Sequence, residues 1–336
     1  MVKFVNKIVR MIVAGVISII ILSLFSMVYS NTGVHISNGT GATDYKWEPY
    51  QFKSTMSEGW SWFRFDSEGF NNSFDISSEE QIDILLMGSS HMEAVNVSSN
   101  ANTGYLLNEY LPDMRTYNIG ISGHDIYRCA GNLESAVDYY DPSGYVVIET
   151  DRVMLDQNMM TAVIDGTITP IPSHDKGMVY RVQKYIPCVL PLYRALDNWR
   201  NNEQSVETEN EKIRDLNASD EQYKELLDRF IALISHSADG RKVIIVYHPE
   251  TVLNDNGNML CENDKYVRMF DDACGNNGVV FVDMYDDFND IYESDHILAH
   301  GFSNTAIGTG HLNETGHELI AKRLAACIEE LEHGIE

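Results

Sequence analysis

Ile82-Asp83-Ile84-Leu85-Leu86-Met87-Gly88-Ser89-Ser90-His91-Met92-Glu93-Ala94 passes without a spacer from an apolar run to a glycine and two serines. An apolar stretch this short, ended by turn residues, is predicted to be a buried strand and not a helix. Four more stretches of the same kind lie at 115–119, 145–149, 242–247 and 279–282. Amphipathic stretches alternate with them, at 101–111, 126–139, 221–235, 264–273 and 314–332. In the last of these Leu319, Ile320, Leu324, Cys327, Ile328 and Leu331 recur at three and four residues, so one helix face packs on a sheet. This alternation predicts an α/β fold whose five-stranded, mainly parallel sheet is covered on both faces.

In such a sheet, ligands bind beyond the carboxyl ends of the strands. The serines after 82–87 stand at such an end, and Gly88 lets the chain turn so that a hydroxyl and a backbone N–H face the cleft. Taken alone, Gly-Ser-Ser after a strand also describes an ordinary turn or a phosphate loop. Two further loops change the reading. Tyr117-Asn118-Ile119-Gly120-Ile121-Ser122-Gly123-His124-Asp125 is a glycine-rich corner whose N–H groups suit a developing oxyanion. Gly308-Thr309-Gly310-His311-Leu312-Asn313-Glu314-Thr315-Gly316-His317 sets a histidine just before the last amphipathic stretch. A serine hydroxyl is a poor nucleophile at neutral pH without such a base. His91, His124 and His248 lie beside these loops, either lining a substrate pocket or making structural hydrogen bonds. His317 reads as a helix-start or packing residue.

Together the three blocks, Gly-Ser-Ser, Asn-x-Gly-x-Ser-Gly and His-Leu-Asn-x-x-Gly-His, resemble the SGNH (GDSL-like) hydrolase family from residue 82 to the end. The resemblance implies a flavodoxin-like three-layer α/β/α fold, Ser90 as nucleophile, the N–H groups of Ser90 and Gly123 as oxyanion donors, and His311 as general base. The sequence departs from that pattern at three places. Ser89 stands where the family has Asp, and Ile148-Glu149-Thr150-Asp151-Arg152 holds no oxyanion Asn. Gly308 stands where the family has the Asp that orients the histidine. Asp283 or Asp151 is then expected to take over that role, or a backbone carbonyl in a Ser-His dyad. Similar gaps occur in relatives that modify cell-surface polysaccharides.

Lys3, Lys7 and Arg10 precede an uncharged apolar run over 11–28, close to the roughly 20 residues that span a bilayer. An uncleaved anchor with everything after Asn31 outside the cytoplasm is expected, the alternative being cleavage after Val28-Tyr29-Ser30. The expected organisation is an anchor at 1–30, an irregular stalk or cap at 31–80, and a catalytic domain at 81–336. Within that domain, 151–220 is an insertion with an apolar stretch over 185–196 and a charged run over 201–211, placed to form a lid. Trp60-Ser61-Trp62-Phe63 reads as a local core of the cap or as a surface that stacks on sugar rings.

With 50 acidic against 24 basic residues, the net charge of −26 excludes a nucleic-acid partner, which needs a basic face. The five cysteines form no CxxC pair, and no HExxH or GxxxxGK occurs, so no metal or nucleotide cofactor is expected. Free thiols are expected, a bridge between Cys261 and Cys274 being the one pairing worth considering. The reading is a membrane-anchored esterase for small O-acyl groups of a glycan. Its alternatives are an O-acyltransferase with the same site and a degenerate, membrane-tethered glycan-binding protein.

Overall fold

The computed structural model describes residues 2–31, 33–56, 58–76, 81–173, 177–183, 185–189, 191–193, 196, 219–254, 257–260 and 264–334. Helix α1 (Val2–Tyr29) leads into five short strands: β1 (Ser30–Asn31), β2 (His35–Ser37), β3 (Tyr45–Trp47), β4 (Phe52–Thr55) and β5 (Ser61–Arg64). The α/β unit follows as β6 (Ile84–Met87), α2 (Ser90–Glu93), α3 (Thr103–Tyr110), β7 (Thr116–Asn118), α4 (Ile126–Tyr140) and β8 (Tyr145–Thr150). After α5 (Gln157–Ile164) and α6 (Met178–Gln183) it continues with α7 (Asp220–Ser237), β9 (Lys242–Tyr247), α8 (Asp264–Asn276), β10 (Val280–Asp283), α9 (Tyr285–Asp295) and α10 (Glu314–Glu332).

The five long-range strands pair in parallel in the order β10-β9-β8-β6-β7. Counted within the unit this is 2-1-3-4-5, the flavodoxin-like order. β6 and the centres of β8 and β9 are apolar on both sides because helices cover both faces, while the short edge strand β7 is Thr-Tyr-Asn, buried throughout. Leu85 faces a core with Val146, Ile148, Leu133, Val137 and Phe230, while its neighbours Ile84 and Leu86 face Leu107, Ile320, Leu324 and Ile328. That alternation is the two-residue period of a strand. Leu85 is fully buried, and its truncation to Ala costs about 2–5 kcal/mol.

The helix starts are chemically fixed. Asp125 accepts the Arg128 N–H, Ser219 and Gln222 form a capping box, and Asn313 accepts the Gly316 N–H. These caps set where α4, α7 and α10 begin, and hence how the loops before them sit.

The described residues of 31–76, expected as an irregular stalk or cap, carry regular strands. They form a small cap with an antiparallel sheet, β1-β4-β5, and a hairpin, β2-β3. Its core joins Tyr45, Trp47, Phe63 and Phe65 to Ile121 of the α/β unit, with Trp47 and Phe65 stacked at 4.9 Å. Strand alternation splits the tryptophan segment: Ser61 and Phe63 are buried, Trp60 and Trp62 exposed. The first part of the 151–220 insertion belongs to the body, since Val153, Leu155, Met160 and Val163 are buried in the main core. The charged run over 201–211 and Cys261 lie outside the described residues. Cys129, Cys188, Cys274 and Cys327 are free thiols. Helix α1 is long and apolar enough to cross a membrane, and almost none of it is covered by protein.

Candidate active site

Ser90 opens α2 immediately beyond the carboxyl end of β6, with Ser89 as the cap whose hydroxyl accepts the His91 N–H. As the first helical residue, Ser90 has an N–H with no acceptor inside the helix. His311 reaches the same point from the loop before α10. Its Nε2 lies 2.9 Å from Ser90 Oγ across 221 residues of chain. The other residues of the last block explain how it is held there. Leu312 is fully buried, Asn313 caps α10, and His317 is buried with Nδ1 2.9 Å from Thr103 Oγ1. Gly316 packs so tightly that a Cβ would sit 2.4 Å from the Ala299 carbonyl oxygen.

The carboxylate beside His311 is neither Asp283 nor Asp151 but Glu58. Glu58 Oε2 lies 2.8 Å from His311 Nδ1, and Oε1 accepts the His311 backbone N–H at 2.6 Å. Asn96 Nδ2 stands 3.3 Å from the same Nδ1. Burial alone would raise the Glu58 pKa, but the hydrogen bonds from the His311 ring and backbone outweigh it and hold the carboxyl below its ordinary value. Gly310, at φ +99°, makes room for this contact, since a Cβ there would lie 2.3 Å from Glu58 Oε1. Asp283 ends β10, three strands away from β6, or about 14 Å at the usual strand spacing, and accepts the Tyr285 N–H. Asp151 forms a two-pronged pair with Arg152. Glu58 comes from the β4–β5 connection, in a segment without periodicity, so no local pattern announced it.

Gly123 stands at φ +82° in the corner after β7. Ile121 N donates to Gly88 O at 3.0 Å, which stitches this corner to the turn before Ser90. Buried Glu93 ties three parts together: it accepts the Ser122 N–H at 3.1 Å and also bonds the Ser122 hydroxyl and the Trp47 indole N–H. The corner, the serine helix and the cap are thus locked to one carboxylate.

Two of the three neighbouring histidines do not line a pocket. His248 is fully buried, with Nε2 2.7 Å from Glu149 Oε1, and Glu149 Oε2 accepts the Ser89 N–H at 2.7 Å. Burial would raise Glu149, but the His248 hydrogen bond outweighs it and brings the carboxyl below its ordinary value. His124 is buried against Tyr45 and accepts the Asp44 N–H at 2.9 Å. His91, beside His311, accepts the Leu312 N–H at 3.2 Å and so braces the loop that carries His311.

His91, His248 and His300 offer ring nitrogens within 4.8 Å of one another, a spacing that invites comparison with a metal site. The tautomers do not suit one. Nδ1 of His91 accepts a backbone N–H, so a neutral ring carries its proton on Nε2, the atom a metal would need. The arrangement reads instead as a chain: Thr251 to His300, His300 to His248 at 3.3 Å, His248 to Glu149, and Glu149 to the Ser89 N–H. Its effect is to fix the backbone just before Ser90.

A cavity of about 840 Å³ adjoins the site on the side of His311, lined by Met56, Trp60, Trp62, Asn96 and Phe302 among others.

No family model and no curated protein matches this sequence. Among solved structures, the chain is similar to an acetyl xylan esterase, AlAXEase, at 15% identity and a TM-score of 0.41, covering 74% of this chain and 100% of that one. It is similar to the psychrotrophic esterase EstA from Pseudoalteromonas sp. at 13% identity and a TM-score of 0.36, covering 75% and 98%. A member of the lipolytic protein G-D-S-L family from Veillonella parvula DSM 2008 matches at 15% identity and a TM-score of 0.37, covering 73% and 97%.

Proposed function

We propose that this chain is a serine esterase, held outside the cytoplasm by α1, that removes small O-acyl groups, acetyl above all, from a cell-surface or secreted glycan. The observation that carries the reading is the alignment of Ser90 Oγ, His311 and Glu58, with contacts of 2.9 Å at Nε2 and 2.8 Å at Nδ1. A nucleophile, its base and an orienting carboxylate are the three parts that serine acyl transfer requires.

In this mechanism Ser90 Oγ attacks the ester carbonyl carbon while His311 Nε2 takes the hydroxyl proton. Glu58 holds the proton on Nδ1 and stabilises the imidazolium that forms. The tetrahedral oxyanion faces the N–H groups of Ser90 and Gly123. Collapse breaks the bond to the sugar oxygen, which leaves with the proton from Nε2. Water then attacks the acyl-serine by the same route and frees the acid. A second sugar hydroxyl in place of water turns the same site into an O-acyltransferase. The basic residues Lys3, Lys7 and Arg10 before α1 set the orientation, with the domain on the far side of the membrane.

The test is a fluorophosphonate probe on the full chain in mild detergent. Labelling that disappears in Ser90→Ala and in His311→Asn supports the enzyme. A folded, unlabelled wild type would refute it and leave a glycan-binding protein on this scaffold. Release of acetate from an acetylated glycan, with and without an unacetylated acceptor, separates hydrolysis from transfer.

A further inference from the structure

We infer that the outer face of the cap and residues 185–189 and 191–193 form a second, in-plane contact with the bilayer that holds α1, so that the cleft beside His311 opens onto the lipid headgroups. The inference rests on α1 being a retained anchor.

Two separate parts of the chain meet the last two turns of α1. In the β4–β5 pairing Ser54 stands opposite Trp62, so their side chains leave the same face of the sheet. Ser54 is 1% exposed because the end of α1 lies on it, and its hydroxyl donates to the Met27 carbonyl at 2.6 Å. Trp62 and, two residues earlier, Trp60 flank that contact and remain 67% and 70% exposed. The second part is the inserted segment after α6. Cys188 Sγ accepts the Ser23 hydroxyl at 3.4 Å, while Tyr185, Leu192 and Tyr193 around it are exposed.

Depth along α1 decides what covers these side chains. The apolar run ends at Val28, so Met27 lies at the outer edge of the hydrocarbon and Ser23 about 6 Å deeper, at 1.5 Å per residue. Residues packed level with Ser23 and Met27 therefore sit where headgroups meet acyl chains, the depth that Trp and Tyr favour. Apolar side chains exposed in both parts are otherwise unfavourable on a water-facing surface. Both patches are continuous with the helix that enters the lipid, which makes the lipid their occupant. Trp60 and Trp62 also line the cavity next to His311, so the cleft and the patch share a rim.

The test uses the full chain, with Trp199→Phe so that this residue does not report, in phosphatidylcholine vesicles brominated high on the acyl chain. Bromine is expected to quench the emission about two-fold more than in the chain that also carries Trp60→Phe and Trp62→Phe. The remaining Trp47, 4% exposed, reports through its emission maximum that this variant has folded. Tyr193→Trp in the Trp199→Phe chain is expected to add quenching, and it is read independently of the double variant. Quenching indifferent to all three positions, in a chain that resists alkaline carbonate extraction, overturns the inference and turns the patch toward water or a protein partner. Extraction by carbonate would instead overturn the anchor on which it rests.

Discussion

Glu58 grips His311 twice, by its ring Nδ1 at 2.8 Å and by its backbone N–H at 2.6 Å, from 253 residues away. One carboxylate thus sets both the tautomer of the ring and the path of the loop that carries it. Glu58→Ala is expected to slow fluorophosphonate labelling by about a hundredfold or more, since removal of an orienting carboxylate costs that order. Glu58→Gln retains a hydrogen bond but not the charge, and should fall between. A labelling rate equal to wild type in both variants would remove Glu58 from the site.

Gly310→Ala should reproduce that loss without touching a reactive group. The new Cβ would meet Glu58 Oε1 at 2.3 Å, and φ +99° is strained for any side chain. The variant is expected to keep its fold and lose labelling at least about tenfold. Unchanged labelling would show that the Glu58 contact is dispensable.

Glu149 answers for the backbone before Ser90 and for His248 at once. Its removal strands a buried imidazole and a buried N–H, so Glu149→Ala should lower unfolding stability by about 3–5 kcal/mol, measured by urea titration in detergent. A shift below about 1 kcal/mol would mean that the chain from Thr251 to Ser89 is not coupled in solution.

Burial presses His91 down to about 4, His317 to about 3 and His300 to about 2, the positive charges of neighbouring histidines adding to the effect. The sign follows directly. Unfolded histidines protonate below about 6.5 while these stay neutral in the fold, so stability is complete above that pH and declines as the pH falls toward the folded values. Each contributes at most about 1.4 kcal/mol per pH unit in that window. Urea midpoints at neutral and mildly acidic pH measure it, and a flat profile would contradict the buried, neutral assignment.

The tautomer of His91 predicts indifference to chelators. Incubation with EDTA should leave Ser90 labelling unchanged, and a loss reversed by a divalent cation would replace the hydrogen-bonded chain with a metal.

Much of this was legible in the residues. The five strands of the main sheet are readable to within two residues, four of them because they are near-continuous apolar runs and β7 from its place before a glycine-rich corner, and Ser90 and His311 stand out because caps and glycines surround them. Helix α9 is hidden in the sequence although Tyr285, Phe288 and Tyr292 recur at helical spacing, because its many acidic residues mask so sparse a stripe. The cap looked irregular because its strands are two to four residues long, below the length at which alternation can be read. Glu58 sits in just such a segment, and only the pairing of distant parts of the chain brings it to His311. Asp283 suits the role by its position at the end of a strand. Strand order, which single residues do not encode, put it on the far edge.

That separation has a consequence during synthesis. In the proposed mechanism Ser90 and Glu58 leave the ribosome well before their partner His311, which follows them by 221 and 253 residues. Until His311 has followed, Ser90 would lack its proposed proton acceptor, and a product truncated before that loop is expected not to react with a fluorophosphonate. On that reading a nascent chain is protected from acylation by the esters around it.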